Sequence, residues 1–126
     1  MNARIFLCDS ANVSDNGTRF NATGAGITFF KCGQMPAPVN FALLIETSFS
    51  PAESEKEYAF EIKILDSEGR PVAPVLTGTL QALKGHYGSF YTAFNLQMIM
   101  KKTSTITFSL MMNGEEKDCV VVRVSD

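Results

Sequence analysis

The feature that most constrains the fold of this chain is a strict alternation of side chains in residues 59–72. Phe60, Ile62 and Ile64 alternate with charged residues, the two-residue period of a strand with one buried face and one face in water. The Asp-Ser-Glu-Gly segment at 66–69 then favours a tight turn, because Asp bonds the local backbone and Gly accepts a positive φ. Alternation and turn together predict a β-hairpin arm of an antiparallel sheet.

The same alternation recurs along the chain, in residues 4–13, 39–46, 90–98, 105–110 and 120–124. Turn-forming residues separate such segments about every 8–12 residues, which is typical of a β-sandwich. The pattern predicts an all-β fold, an antiparallel Ig-like β-sandwich of about seven to nine strands with at most one or two short helical turns. Because 126 residues suffice for one two-layer core, we expect a single domain over residues 1–126.

Four further segments carry local signals. Residues 15–17 favour a hairpin whose second strand returns beside the first, and the Gly-Ala-Gly segment at 24–26 indicates a bulge or a corner between sheets. Residues 50–53, Ser-Pro-Ala-Glu, have a capping-box pattern with proline at the first helical position. The acidic run at 53–57 then forms one or two helical turns or a solvated loop, of which a short helical turn is the favoured interpretation. Residues 73–89 are the least regular, with a short strand expected at 75–78 and a helical turn over 80–84.

Charge and cysteine content exclude several partners. Eleven basic and thirteen acidic residues give a net charge of −2, and no basic cluster exceeds Lys101–Lys102, so neither nucleic acid nor an anionic membrane is an expected partner. An uninterrupted run of only four apolar residues, 5–8, precedes Asp9, too short for the apolar region of a signal peptide. Three widely spaced cysteines, Cys8, Cys32 and Cys119, are expected as free thiols in a cytoplasmic protein.

The residues offer little for catalysis. The only histidine, His86, lies between Gly85 and Gly88; it could serve as a general base or a metal ligand, but an exposed loop imidazole is the favoured interpretation. No nucleophile elbow and no zinc spacing accompany it. We therefore expect no catalytic residue, metal site or cofactor, and a protein that is not an enzyme.

Three carboxylates are candidates for chemistry. Asp9 follows an apolar run, which suggests a partly buried carboxylate that needs backbone donors to stay charged. The favoured interpretation is a carboxylate that closes the end of the sheet by hydrogen bonding. Glu46 and Glu61 could form a glycosidase pair, but both occupy ordinary outward strand positions.

Excess apolar side chains predict a binding surface. Tyr91, Ile99 and Met111 fall out of phase with the core positions of their strands, and His86 and Tyr87 lie close to Tyr91 in sequence. Strands that are apolar on both faces need a cover, which we expect to be a protein partner or a second copy. The leading hypothesis is a non-catalytic protein-interaction or assembly module acting through an apolar sheet face or edge. The alternative is a β-sandwich that binds a small molecule near the His86 loop; a flat apolar patch favours the first and a deep pocket the second.

Several motifs resemble those of a known family. They are Leu-Cys-Asp-x-Ala-x-Val at 7–13, Gly-Ala-Gly at 24–26, Pro-x-Pro with Phe-Ala-Leu-Leu-Ile-Glu within 36–46, and Leu-Asp-x-Glu-Gly-Arg-Pro-Val at 65–72. The chain is similar to a bacterial family catalogued only as a domain of unknown function, although Ile27 stands where members often have Trp. The resemblance implies a small cytoplasmic β-sandwich and brings no assigned catalytic residue.

Overall fold

The computed structural model describes residues 1–53, 55–81 and 88–126. Ten strands carry the fold: β1 Asn2–Cys8, β2 Ser10–Ser14, β3 Arg19–Thr23, β4 Phe29–Lys31, β5 Ala37–Phe49, β6 Glu57–Leu65, β7 Leu76–Gln81, β8 Gly88–Met100, β9 Ser104–Met112 and β10 Glu115–Ser125. Two 3₁₀ turns, Asp15–Gly17 and Pro51–Glu53, complete the regular structure of these described residues. The all-β prediction is confirmed. The described part of the chain contains no helix with the length and apolarity that a membrane crossing requires.

The strands form two main sheets and a separate hairpin. The small sheet has the order β1-β5-β8, and the large sheet has the order β4-β10-β9-β6-β7. Strands β2 and β3 pair only with each other, and we call them the outer hairpin. Every pairing is antiparallel except that of β4 with β10. Ten strands arise instead of the expected seven to nine partly because residues 4–13 split at Asp9 into β1 and β2.

The core lies between the two main sheets and follows from the alternation. Inward residues of β6 and β9, such as Ile62 and Leu110, are fully buried, as are Leu43 and Ile45 on β5. Aromatic rings meet across the interface: Phe108 of the large sheet contacts Phe41 of the small sheet edge-on, with ring centroids 5.7 Å apart. The inward and outward residues of β6, β8 and β9 are those that the period-2 pattern predicts.

A carboxylate joins the two sheets at one corner. The Ile5 N–H on the edge of β1 donates a hydrogen bond to Asp118 Oδ2 at 2.9 Å. Asp118 follows a register shift in β10, between Glu116 and Asp118, and such irregularities re-aim a side chain. The bond therefore satisfies an edge N–H of the small sheet with a group from the large one.

The outer hairpin covers the small sheet from outside. The backbone N–H of Asp9 donates to the Thr23 carbonyl at 2.9 Å, and the Asp9 carboxylate lies over Gly24, where a Cβ would collide with it. Gly24 also has φ +62°, so this corner requires glycine on two counts. Residues 24–26 thus lead the chain from the hairpin to the large sheet. Asp9 is exposed, so the expectation of a partly buried carboxylate is wrong: the chain turns at Asp9, and its side chain points away from the core.

One local expectation changes in the irregular region. Leu80 and Gln81 belong to strand β7, so a helical turn beginning at residue 80 is wrong; the alternation of half-buried Leu76, Gly78 and Leu80 extends the strand instead. The short helical turn begins at Pro51, as the capping-box pattern predicts, and the 3₁₀ turn spans Pro51–Glu53. Residues 82–87 lie outside the described residues.

Candidate protein interface

The structure separates the residues that were expected to form one binding surface. Tyr91 and Ile99 lie on β8 of the small sheet, whereas Met111 lies on β9 of the large sheet. All three face outward, so Met111 is on the opposite side of the sandwich from the other two. His86 and Tyr87 lie outside the described residues. The expectation that one sheet carries Tyr91, Ile99 and Met111 is wrong, because alternation does not specify the sheet to which a strand belongs.

Tyr91 is covered by the chain itself. Its ring packs against Phe20 of the outer hairpin with centroids 4.5 Å apart. Beneath the hairpin, Cys8, Ala42 and Leu44 of the small sheet form a second, buried apolar cluster. The outer hairpin therefore provides the cover for the small-sheet strands that are apolar on both faces, where a partner chain was expected. Tyr91 belongs to a contact within the chain.

Ile99 lies beside an open pocket at one end of the sandwich. The pocket has a volume of about 270 Å³, and buried Met100 and Ile106 form part of its wall. Lys101 and Lys102 also line this end pocket. Ile99 is 54% exposed and contributes an apolar rim.

The outer face of the large sheet is a second, larger surface. It is formed by the outward residues of four strands, chiefly Phe29, Leu65, Thr105, Thr107, Ser109, Met111, Cys119 and Val121, and we call it the large-sheet face. Within residues 1–53, 55–81 and 88–126, no strand or helical turn packs across it. Val121 is 54% exposed and Phe29 is 49% exposed. This face thus leaves two large apolar side chains half in water on a wide pleated surface.

Charged side chains lie at both ends of the large-sheet face. Arg123 is next to Phe29 in register, and Lys63 pairs with Ser109 nearer the centre. Toward the other end, Glu61 and Glu116 both lie beside Met111. The face therefore carries positive charge on the side of Arg123 and negative charge on the side of Glu116.

These charges are largely uncompensated within the chain. The Ser109 hydroxyl donates to Glu116 Oε1 at 2.6 Å, which fixes that carboxylate on the face. Among the described residues, neither Arg123 nor Lys63 makes an ion pair, and Glu61 makes none either. A partner surface with the reverse order of charges would complement the face.

The described residues give little support for a chemical site. Glu46 is on the small sheet, where Arg4 binds it at 2.9 Å, and Glu61 is on the opposite outer face, so the two carboxylates cannot flank one glycosidic bond. In the part of the chain that the structure describes, no group of three or more His, Cys, Asp or Glu side chains could hold a metal ion.

All three cysteines are unpaired, as predicted. Burial raises the pKa of the Cys8 thiol, and the Asp9 carboxylate raises it further.

Sequence reasoning missed the most exposed residues of the large-sheet face for identifiable reasons. Val121 stands within three consecutive valines at 120–122, where apolar neighbours hide the outward position. Phe29 belongs to β4, whose three residues are too few to show a period. The outward position of Val121 could have been inferred from the inward Val122 and Val124.

The comparisons with known proteins agree with the resemblance seen in the motifs. Neither a curated protein nor a solved structure matches the chain. A family model described as a family of unknown function, DUF6941, matches residues 3–125, which is nearly the whole chain and includes every strand of both main sheets. The chain belongs to the DUF6941 family of unknown function.

Proposed function

We propose that this protein is a non-catalytic interaction module that binds another protein chain through the large-sheet face. The observation that carries the proposal is the exposure of Val121 and Phe29 on a face that no described element covers. The opposite outer face is covered by the outer hairpin around Ala42, Leu44 and Tyr91. The large-sheet face is therefore the side of the sandwich left for a partner.

Physical magnitudes favour this face as an interface. Burying the exposed half of Val121 or Phe29 would contribute about 1 kcal/mol each, half of the usual value for a large apolar side chain. Five strands at a spacing of about 4.8 Å, with β9 about 30 Å long, give a face of roughly 700 Å². Specific complexes bury about 800 Å² on each partner, so the face is of the right size.

Cellular location follows as part of the same proposal. Three unpaired thiols, of which Cys119 is exposed, suit a reducing compartment. We place the protein in the cytoplasm, where Cys119 stays available on the binding face.

Site-specific photo-cross-linking in the native host tests the proposal. A benzophenone amino acid replaces Val121 in one variant and Asn12, an exposed residue of the outer hairpin, in the control. We expect a defined cross-linked protein from position 121 and none from position 12. Equal products from both positions, or no product from position 121, would refute the proposal.

A second candidate function is favoured by the end pocket. Its wall combines buried Met100 and Ile106 with Lys101 and Lys102, and neither lysine forms an ion pair among the described residues. Asp66 also lines the pocket, but its carboxylate is held by the Glu68 and Arg70 N–H groups and by the Arg70 side chain. An apolar wall beneath the two lysines therefore fits a small carboxylate with an aliphatic tail. This candidate moves the ligand-binding alternative from the His86 loop to the opposite strand end of β8.

Hexanoate is a suitable probe for the end pocket. In NMR titration we expect shifts confined to Met100 and Ile106, with binding weakened about tenfold by the double variant Lys101→Gln, Lys102→Gln, because two charge-assisted contacts are lost. The matched control is Lys63→Gln on the large-sheet face. Shifts spread over the whole molecule, or equal binding by both variants, would exclude the pocket as a site.

A further inference from the structure

We infer that the partner of the large-sheet face is a second copy of this chain, related by a two-fold axis that runs across the strands between Cys119 and Val121. The inference rests on the proposed function, since it names the occupant of the same face. Three observations carry it: the order of charges along β10, the apolar centre of the face and the size of the face.

The order of charges along β10 is self-complementary. The outward residues run from Arg123 through Val121 and Cys119 to Glu116, and the cross-strand register places Thr105 beside Arg123 and Met111 beside Glu116. A two-fold axis across the strands reverses this order in the second copy. Arg123 then faces Glu116 of the second copy, and the same pair forms again by symmetry.

The centre of the face suits contact with itself. With the axis between Cys119 and Val121, the exposed Val121 packs against the exposed Cys119 of the second copy, and half-buried Thr107 lies opposite Ser109, which is itself only 7% exposed. These side chains are small or β-branched and carry no charge, so two pleated faces can approach to the usual sheet spacing of about 10 Å. An axis parallel to the strands would instead place Arg123 level with Arg123 of the second copy, and Glu116 level with Glu116.

A symmetric dimer forms through one face only if that face is complementary to itself. A two-fold interface uses the same patch on both subunits, and the charge order described above meets that condition without a residue from outside the chain. The roughly 700 Å² face would give a total burial near 1,400 Å², within the range of stable interfaces.

Cysteine cross-linking of the purified protein tests the position of the axis. Cys119 and its copy would stand about 10 Å apart, given the sheet spacing and a lateral offset of one row of side chains. We expect a short bismaleimide with a spacer of about 8 Å to produce a covalent dimer through Cys119. The control is the double variant Cys119→Ser, Asn12→Cys, which carries its exposed thiol on the outer hairpin and should give no covalent dimer under the same treatment.

Charge reversal tests the orientation. Arg123→Glu and Glu116→Arg should each weaken self-association by at least tenfold in sedimentation velocity, because like charges then face each other twice in the dimer. The double variant Arg123→Glu, Glu116→Arg restores opposite charges and should recover most of the association. Circular dichroism of each variant establishes that the fold is intact before association is compared.

Each outcome has one interpretation. A dimer without Cys119 cross-linking, or without recovery in the double variant, overturns the proposed axis. A strictly monomeric protein overturns the second copy as partner. Photo-cross-linking from position 121 to a different protein would still support the large-sheet face as an interface, so failure of this inference is distinguishable from failure of the proposed function.

Discussion

Gly78 offers a sharp test of how the edge of the large sheet is packed. It pairs with Phe60 across β7 and β6, and Phe60 is only 3% exposed. A Cβ added at Gly78 would lie 2.7 Å from both Cε1 and Cζ of the Phe60 ring. The ring also contacts Phe94 of the small sheet, with centroids 5.7 Å apart. The Gly78→Ala methyl group therefore meets a buried aromatic ring that already packs against a neighbour.

Two opposing effects set the magnitude for Gly78→Ala. Replacing glycine in a strand normally stabilises by about 0.5–1 kcal/mol through reduced backbone entropy. Overpacking a well-packed core costs about 1–3 kcal/mol. Because the colliding atoms belong to a buried ring, overpacking should win, and we expect Gly78→Ala to lower the free energy of unfolding by about 1–2 kcal/mol.

Urea denaturation of a four-member cycle measures this effect. Phe60→Leu shortens the side chain over Gly78, so Gly78→Ala should be neutral or stabilising in that background, and the coupling free energy should be about 1–2 kcal/mol. Thr79→Ala, an exposed neighbour on the same strand, is the control for general sensitivity of β7. If Gly78→Ala stabilised the wild type, or destabilised both backgrounds equally, the steric reasoning would be refuted.

Three further predictions concern pH, the sheet corner and the thiols. The N-terminal ammonium and the Ser50 N–H lower the pKa of Glu53 from 4.5 to about 2. A carboxylate whose pKa is lower in the folded state stabilises the fold at pH values above its unfolded-state pKa, so the free energy of unfolding should fall between pH 4.5 and 2 in urea titrations. Glu53→Gln should flatten that fall. Asp118→Ala leaves the Ile5 N–H without its acceptor and should cost about 1–2 kcal/mol in the same assay, whereas Asp118→Asn, which retains an oxygen, should cost less. With a maleimide followed by mass spectrometry, Cys119 should react in the native protein and Cys8 only after unfolding, because Cys119 is exposed and Cys8 is buried; rapid native labelling of Cys8 would contradict the described packing.

The sequence predicted individual strands better than their assembly. Residues of β6 alternate between water and core, so the apolar contrast identifies both the strand and its inward side chains, such as Ile62. Alternation is local, however, and gives no information on neighbours. The pattern therefore assigns Tyr91 and Met111 to one binding surface, although β8 and β9 belong to different sheets. Sheet membership depends on pairing between distant segments, which one sequence does not reveal.

The proposed binding face was hard to predict for a different reason. Threonine and serine fill the outward positions of β9, from Thr105 to Ser109, and β-branched residues such as threonine favour strands with or without a partner. They carry no signal for an interface. The signal comes from Val121 and Phe29, which lie where the chain gives no polar contrast or too few residues to show a period.

The outer hairpin accounts for the two-sided apolar strands and changes where a partner is expected. Ala42 and Leu44 on β5 are buried under the hairpin, so the apolar outer side of the small sheet needs no second chain. The strands of the large sheet are one-sided by comparison, and their outward residues are mostly polar, yet this is the face on which Val121 and Phe29 stay half exposed. Apolar residues on both faces of a strand therefore indicate that both faces are covered, but they do not identify the covering element. The apolar side chains that bear on binding are those that the chain leaves exposed. On the large-sheet face these are Val121 and Phe29, on a surface with a positive end at Arg123 and a negative end at Glu116.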